Sequence, residues 1–306
     1  MHTIHVECPL TSYMILFADE SFSSTWCNIQ APKVEVLVLN FQTNNYSLPE
    51  FVDKMDNLKV VIITNYGFFP TKLRNFQLLK SLPNLKTIRL GKVSIPSLCK
   101  APILLKSLKK MSLFMCNIAQ AFGNCTIQVS NALPNLMEIN INYCNDLVEL
   151  PAVLCDVILL KTLIMTNFHQ LSTLPKEIGK LVNLEVLRLR SCIDLSRLPE
   201  SITSLKKSES ITGLKNLRLL DISDCLSIRH LPKEIGELCK LEEIHMKGFL
   251  SLCNELPPST TNLEQLKLVI CDEERAKFWE PIKEVLTNLE VKVAEKDINL
   301  TWLLKP

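Results

Sequence analysis

Glycine is scarce, at 7 of 306 residues, too few to expect the glycine-rich loops that cradle phosphates. No apolar run approaches the ~20 residues needed to span a bilayer, so no membrane insertion by this segment is expected. The apolar run from Tyr13 to Ala18 stops at Asp19 and Glu20, with no Lys or Arg before it, which argues against a secretory leader. Charge of one sign is also missing: 34 basic side chains face 32 acidic ones, a net of +2. Read as spread along the chain, that balance excludes a dedicated nucleic-acid or acidic-lipid surface. No CxxC occurs, and no cysteine pair meets a histidine pair at finger spacing, so no metal is expected. The 12 cysteines then read as free, buried thiols in a reducing, cytoplasmic compartment. In that setting the sequons at Asn45, Asn124 and Asn299 are coincidences.

Catalytic signatures are absent too. There is no GxxxxGK[ST], no GxSxG and no HExxH. The histidines are scattered, and His245 has no expected carboxylate or cysteine partner in its own stretch of chain. The sequence predicts no enzyme, no cofactor and no catalytic residue.

What is present is a repeat. "NLMEININYC", "LLKTLIMTNF", "NLEVLRLRSC", "NLRLLDISDC" and "KLEEIHMKGF" share the frame LxxLxLxx(C/F), opened by Leu136, Leu160, Leu184, Leu217 and Leu241 at gaps of 24, 24, 33 and 24. Val34, Leu58, Leu85 and Leu108 open weaker upstream frames, and Leu263 is read as opening one in "NLEQLKLVIC". Between frames runs LPxxIxxL, as in "TLPKEIGKL", "RLPESITSL" and "HLPKEIGEL". That period and pattern define leucine-rich repeats. The fold class is therefore α/β: a curved solenoid with a parallel sheet on its concave side and loops and short helices on its convex side.

Alternation places both leucines of LxL on one face of a strand. No single coil can bury that face, so stacked coils build the core. Pro151, Pro175, Pro199 and Pro232 fall where each chain leaves the sheet, where a missing N–H breaks no ladder. Cys116, Cys144, Cys192, Cys225 and Cys271 fall at the ninth frame position, which Phe168 and Phe249 fill elsewhere, and are expected to point inward. Parallel side chains and a reducing compartment argue against disulfides between neighbouring coils.

The gap of 33 contains a duplication: Glu200 to Lys206, "ESITSLK", returns as Glu209 to Lys215, "ESITGLK". A helix cannot seat both copies, because nine residues at 3.6 per turn rotate the second to the opposite face. One Ile and Leu pair should therefore enter the core while "KKSES" bulges outward and Gly213 helps the chain turn. Expected boundaries are an irregular N-terminal cap over 1–30, about ten coils over 31–271 with an insertion near 206–214, and a C-terminal cap over 272–306.

"APKVEVLVLNF", "DISDCLSIRHLPKEIGELCKLEEIHMKG" and "FWEPIKEVLTNLEVKVAEKDINLTW" give the chain a further likeness. From about Trp26 to Trp302 it resembles the C-terminal region of plant nucleotide-binding leucine-rich-repeat disease-resistance receptors. It is most similar to the helper class, which carries a coiled-coil-type N-terminal domain. The resemblance implies a protein-interaction module for autoinhibition and signal perception in defence. It implies two kinds of partner: the receptor's nucleotide-binding domain and lipase-like immune adaptor heterodimers. That domain and the cell-death domain are not found in these residues, so the chain is expected to be a fragment or a truncated paralogue. An independent repeat scaffold, such as a substrate-recruiting ubiquitin-ligase subunit, is the other reading.

The third, fifth, seventh and eighth frame residues are expected to face the groove. At the N-terminal end these include Val36, Val38, Phe41, Val60 and Ile62, an apolar cluster suited to a partner unless residues 1–30 cover it. Phe114, Met115 and Tyr143 form a mid-groove candidate. Arg188 and Arg190 face Asp221 and Asp224, while His245, Lys247 and Lys267 leave a basic end. Phe278, Trp279, Ile282, Val285 and Leu286 sit at helical spacing and should seal the last coil, with Trp302 a further contact candidate.

Overall fold

The computed structural model describes residues 12–18, 29, 31–97, 103–122, 129–203, 213–248 and 255–294. Its main sheet has twelve parallel strands laid down in chain order, from Tyr13–Ala18 and Val36–Phe41 to Leu268–Cys271 and Glu290–Val293. Pairing keeps the frame: Leu163 aligns with Ile139 and Leu187, Leu187 with Leu220, Leu220 with Ile244, and Ile244 with Val269. The frame leucines Leu163, Leu187 and Leu220 are no more than 1% exposed, and each such side chain contributes roughly 1.5–3 kcal/mol by burial.

Most coils return through a short 3-10 helix, as at Ala152–Asp156, Lys176–Lys180 and Glu200–Ile202, while the coil after Lys110–Phe114 uses two short α-helices, Ala119–Phe122 and Val129–Ala132. The proline before the 3-10 helix supplies the first carbonyl: Leu154, Ile178, Ile202 and Ile235 donate their N–H groups to Pro151, Pro175, Pro199 and Pro232 at 3.0–3.1 Å. Two ladders tie the coils together. Asn57, Asn84, Asn135, Asn183 and Asn216 each donate a side-chain N–H to a carbonyl of the preceding coil at 2.7–2.9 Å. Beneath the strands, Cys116, Cys144, Cys192 and Cys225 direct thiols at carbonyls of the preceding coil, namely Leu90, Leu113, Met165 and Leu189. The described cysteines are free, and all but Cys239 are buried.

Three expectations are corrected. The N-terminal segment is not irregular throughout: Tyr13–Ala18 is a strand that pairs residue for residue with Val36–Phe41. Leu263 does not open a frame. Its N–H bonds to the carbonyl of Thr260, and Leu266 then donates to Leu263, repeating the turn that Leu181 and Leu184 make after Ile178. "LPPSTTNL" is thus an LPxxIxxL turn with Thr260 in the isoleucine place; Leu266 opens the strand, and Cys271 is a strand residue opposite Val293. The tail does form the expected helix, Glu273–Val285, with Trp279 and Ile282 buried but Val285 exposed. The sheet nevertheless continues past it through Glu290–Val293.

Candidate functional site: the inner face of the sheet

Strand alternation brings Val36 beside Val60 and Val38 beside Ile62, all four half-buried with their free sides on the inner face. The first strand widens this surface. Tyr13 and Ile15 align with Val36 and Val38, and Tyr13, Ile15 and Phe17 are 44%, 37% and 66% exposed. Tyr13, Ile15 and Phe17 therefore extend the apolar face without covering it. Periodicity alone would have found them, since "YMILFA" alternates as the later strands do.

Phe41 does not belong to this face. It is 2% exposed and stacks on Tyr46 with ring centroids 3.9 Å apart. Most later coils end their strand with the eighth residue in the left-handed region, as at Lys92, Met115, Tyr143, Asn167, Ser191 and Asp224 (φ 51–60°). That turn swings the eighth side chain outward. In the first two coils the strand runs on through Phe41 and Asn65, so alternation sends both inward.

Mid-groove, Phe114 and Tyr143 come together, with Met115 next to Phe114 in the chain, each roughly 40% exposed. Phe114 and Tyr143 meet edge to face at 6.1 Å, and Tyr143 meets His169 likewise at 6.3 Å. His169 lies just past its strand, so the frame gave no reason to include it.

Farther along, Arg188, Asp221 and His245 occupy the same position on three adjacent strands. Arg188 Nε lies 3.0 Å from Asp221 Oδ2, and Arg190 Nε lies 3.6 Å from Asp224 Oδ2. Asp221 is buried, and its other oxygen accepts the N–H of Ser223 at 3.1 Å. His245 is not without a carboxylate in its own coil: its Nε2 lies 3.2 Å from Glu243, and its Nδ1 3.9 Å from Asp221. Glu243 precedes it by two residues and so shares its face. Arg188 and Arg190 are thus offset in charge by Asp221 and Asp224, although Arg188 Nε makes no hydrogen bond among the described residues. Lys247 lies beyond His245 on this strand's exit, half-buried, and its carbonyl accepts the N–H of Asp224. Lys267 does not join the basic end, because the shifted frame puts it at the strand's start, 3.5 Å from Glu242. Trp302, Lys206 to Ser210, Phe249 and Trp26 lie outside the described residues.

Among the described residues, no three His, Cys, Asp or Glu side chains gather as metal ligands, and no helix is long and apolar enough to cross a membrane. What the inner face offers is a broad wall, apolar at one end, aromatic in the middle and ion-paired beyond.

No family model matches the chain. The leucine-rich repeat domain of the type III effector XCV3220 (XopL) superposes with a TM-score of 0.62 over 79% of this chain and 78% of that one, at 22% identity, which bears on the fold alone. In Arabidopsis thaliana, "Probable disease resistance protein At5g66890" is 44% identical over 292 residues, 95% of this chain and 67% of its own length. "Disease resistance protein ADR1" is 36% identical over 94% of this chain and 35% of its own length. "Probable disease resistance protein At5g66900" is 50% identical over 50% of this chain and 19% of its own length. The chain thus spans between about a fifth and two thirds of these relatives. It belongs to the plant disease resistance proteins, as the leucine-rich-repeat module of an immune receptor akin to the ADR1 helper group.

Proposed function

We propose that this module is a non-enzymatic docking surface, and that its apolar end holds the nucleotide-binding region of a disease resistance receptor in its resting state. The supporting observation is the contiguous apolar area on the first three strands. Val36, Val38, Val60 and Ile62 continue into the exposed Tyr13, Ile15 and Phe17, and apolar patches of this kind mark interfaces. The Phe114, Met115 and Tyr143 row is the second contact, where the family resemblance points to a lipase-like adaptor heterodimer as the activating partner. The module works in the cytoplasm on this reading, with no nucleic acid and no cofactor.

The test is association of the full chain with the part of ADR1 that lies outside the matched stretch. Val38→Asp with Ile62→Asp should leave the melting curve of the free chain intact, since both side chains are half-buried on the open face, and should abolish association. Undiminished association of the double variant refutes the assignment.

A further inference from the structure

Beyond the sheet's exit edge, one loop carries aromatic side chains far into solvent. Tyr66, Phe68 and Phe69 are 62%, 92% and 80% exposed. The loop that bears them is nonetheless fixed. Asn65, only 1% exposed, donates its side-chain N–H groups to the Phe69 carbonyl and to Thr71 Oγ1, each at 2.8 Å, and accepts the N–H of Gly67 at 2.9 Å. Thr71 passes the network on to the carbonyl of Thr43. Tyr66 donates its N–H to Phe41 at 2.8 Å, and Lys92 Nζ reaches the Gly67 carbonyl at 3.5 Å. Burying a side-chain amide is tolerable only when it is bonded in this way. Here the bonds hold two phenylalanines out in solvent, where no described residue buries them.

The surroundings state the chemistry of what would cover them. Residues 31–122 contain 13 Lys and Arg against 4 Asp and Glu, so the near-neutral total hides a basic stretch over 31–122 and an acidic balance outside it. The charges are therefore not spread evenly along the chain. Lys72, Arg74 and Arg89 are exposed and make no ion pair among the described residues. Lys72 and Arg74 follow the loop directly, and Arg89 stands beside Ile62 on the inner face.

We propose that the Tyr66–Phe69 loop is an aromatic anchor that seats in an apolar slot on an acidic protein surface. This deepens the docking assignment above and rests on it, since it names the partner's chemistry at the same end of the solenoid. Rigid aromatic side chains at the centre of a contact carry much of its free energy, and a pre-ordered loop spends little entropy on binding. Opposite charge around the anchor hastens encounter and rejects basic competitors. The loop leaves the strand Val60–Asn65 that carries Ile62 on the inner face, so one protein surface can touch both. A second copy of this chain would set one basic end against another.

The test selects a library of random 16-residue peptides against the full chain and ranks what is enriched. Peptides combining Asp or Glu with Leu, Ile, Met or Phe should emerge. Their affinity should fall tenfold or more in Phe68→Ser with Phe69→Ser, fall with added salt, and fall again in Lys72→Glu with Arg74→Glu. The exposed positions leave the melting temperature as the check on folding. Selection of uncharged or basic peptides, or equal binding by the serine variant, overturns the proposal. So does sedimentation with phosphatidylserine vesicles that depends on Phe68 and Phe69, because the loop is then a membrane wedge. Val38→Asp with Ile62→Asp separates the two claims. If that variant loses the receptor region while the serine variant keeps it and binds peptides as the unaltered chain does, the docking assignment stands and the anchor falls.

Discussion

Leu214 donates its backbone N–H to the carbonyl of Ile202 at 2.8 Å, closing across the duplication the same turn that Leu181 closes on Ile178 and Leu238 on Ile235. The buried pair therefore takes its isoleucine from the first copy and its leucine from the second, both 0% exposed. Excising residues 204–212 would join Thr203 to Gly213 and leave "ESITGLKNL", an ordinary coil with a 24-residue gap. The excised chain should melt as one unit at an equal or higher temperature. Removing a nine-residue loop saves roughly 2 kcal/mol of closure entropy at most. A drop in melting temperature or a second transition would show that the duplication supports the coil.

Gly213 tests the junction from the other direction. Its φ of +73° suits a residue without a Cβ, and a Cβ there would lie 1.5 Å from the Thr203 carbonyl oxygen. Gly213→Ala should cost about 1–3 kcal/mol in denaturant titrations. In the excised chain, where an ordinary turn replaces the junction, the same substitution should cost less.

The strands were readable because their signal is local: period-two leucines repeated at a constant gap cannot be satisfied by a single coil. What escaped depended on backbone that periodicity does not encode. Phe41 and Tyr143 hold the same frame position, yet one strand runs on and the other turns left-handed, so one ring is buried and the other exposed. Leu263 fits the opening pattern in sequence, and only the Thr260 carbonyl shows it to be the end of a return turn. The anchor loop was missed because its phenylalanines lie outside every frame, and the charge asymmetry because whole-chain totals cancel.

Thr260 replaces the buried isoleucine of its turn, and its hydroxyl, on a residue 0% exposed, has no hydrogen-bond partner among the described residues. Thr260→Val keeps the shape and removes an unpaired polar group, which should raise stability by about 1–2 kcal/mol. Leu187→Ala, at a site equally buried, should lower it by about 2–5 kcal/mol. Equilibrium urea unfolding of both variants beside the unaltered chain gives the two signs directly. A destabilised valine variant would mean that the hydroxyl is bonded after all.

Asp221 and Arg188 should respond unequally to truncation. The carboxylate is buried and also caps the Ser223 N–H, whereas the guanidinium is 36% exposed. Their 3.0 Å approach is too bent to be a hydrogen bond. Asp221→Ala leaves a buried N–H unpaired and should cost about 1–3 kcal/mol. Arg188→Ala should cost about 1 kcal/mol or less. Equal losses would place the value of the contact in the ion pair itself.

Buried thiols make stability fall at alkaline pH. Burial pushes Cys155 up to about 12 and Cys271 up to about 11, from an ordinary value of 9.0. A raised thiol pKa means that the fold prefers the protonated form. The contribution is therefore complete below pH 9.0 and is lost as pH climbs towards the folded values. Cys116 and Cys144 are less suitable probes, because the bond between them lowers the first and raises the second. Cys155→Ala with Cys271→Ala should therefore lose less stability than the unaltered chain between pH 8.5 and about 11, followed by thermal melts at matched ionic strength. Parallel declines would move the alkaline sensitivity to other groups, and a steeper decline in the alanine variant would reverse the sign of the linkage. Maleimide labelling at pH 8 supplies the structural control: exposed Cys239 should react at once, and Cys155 only after unfolding.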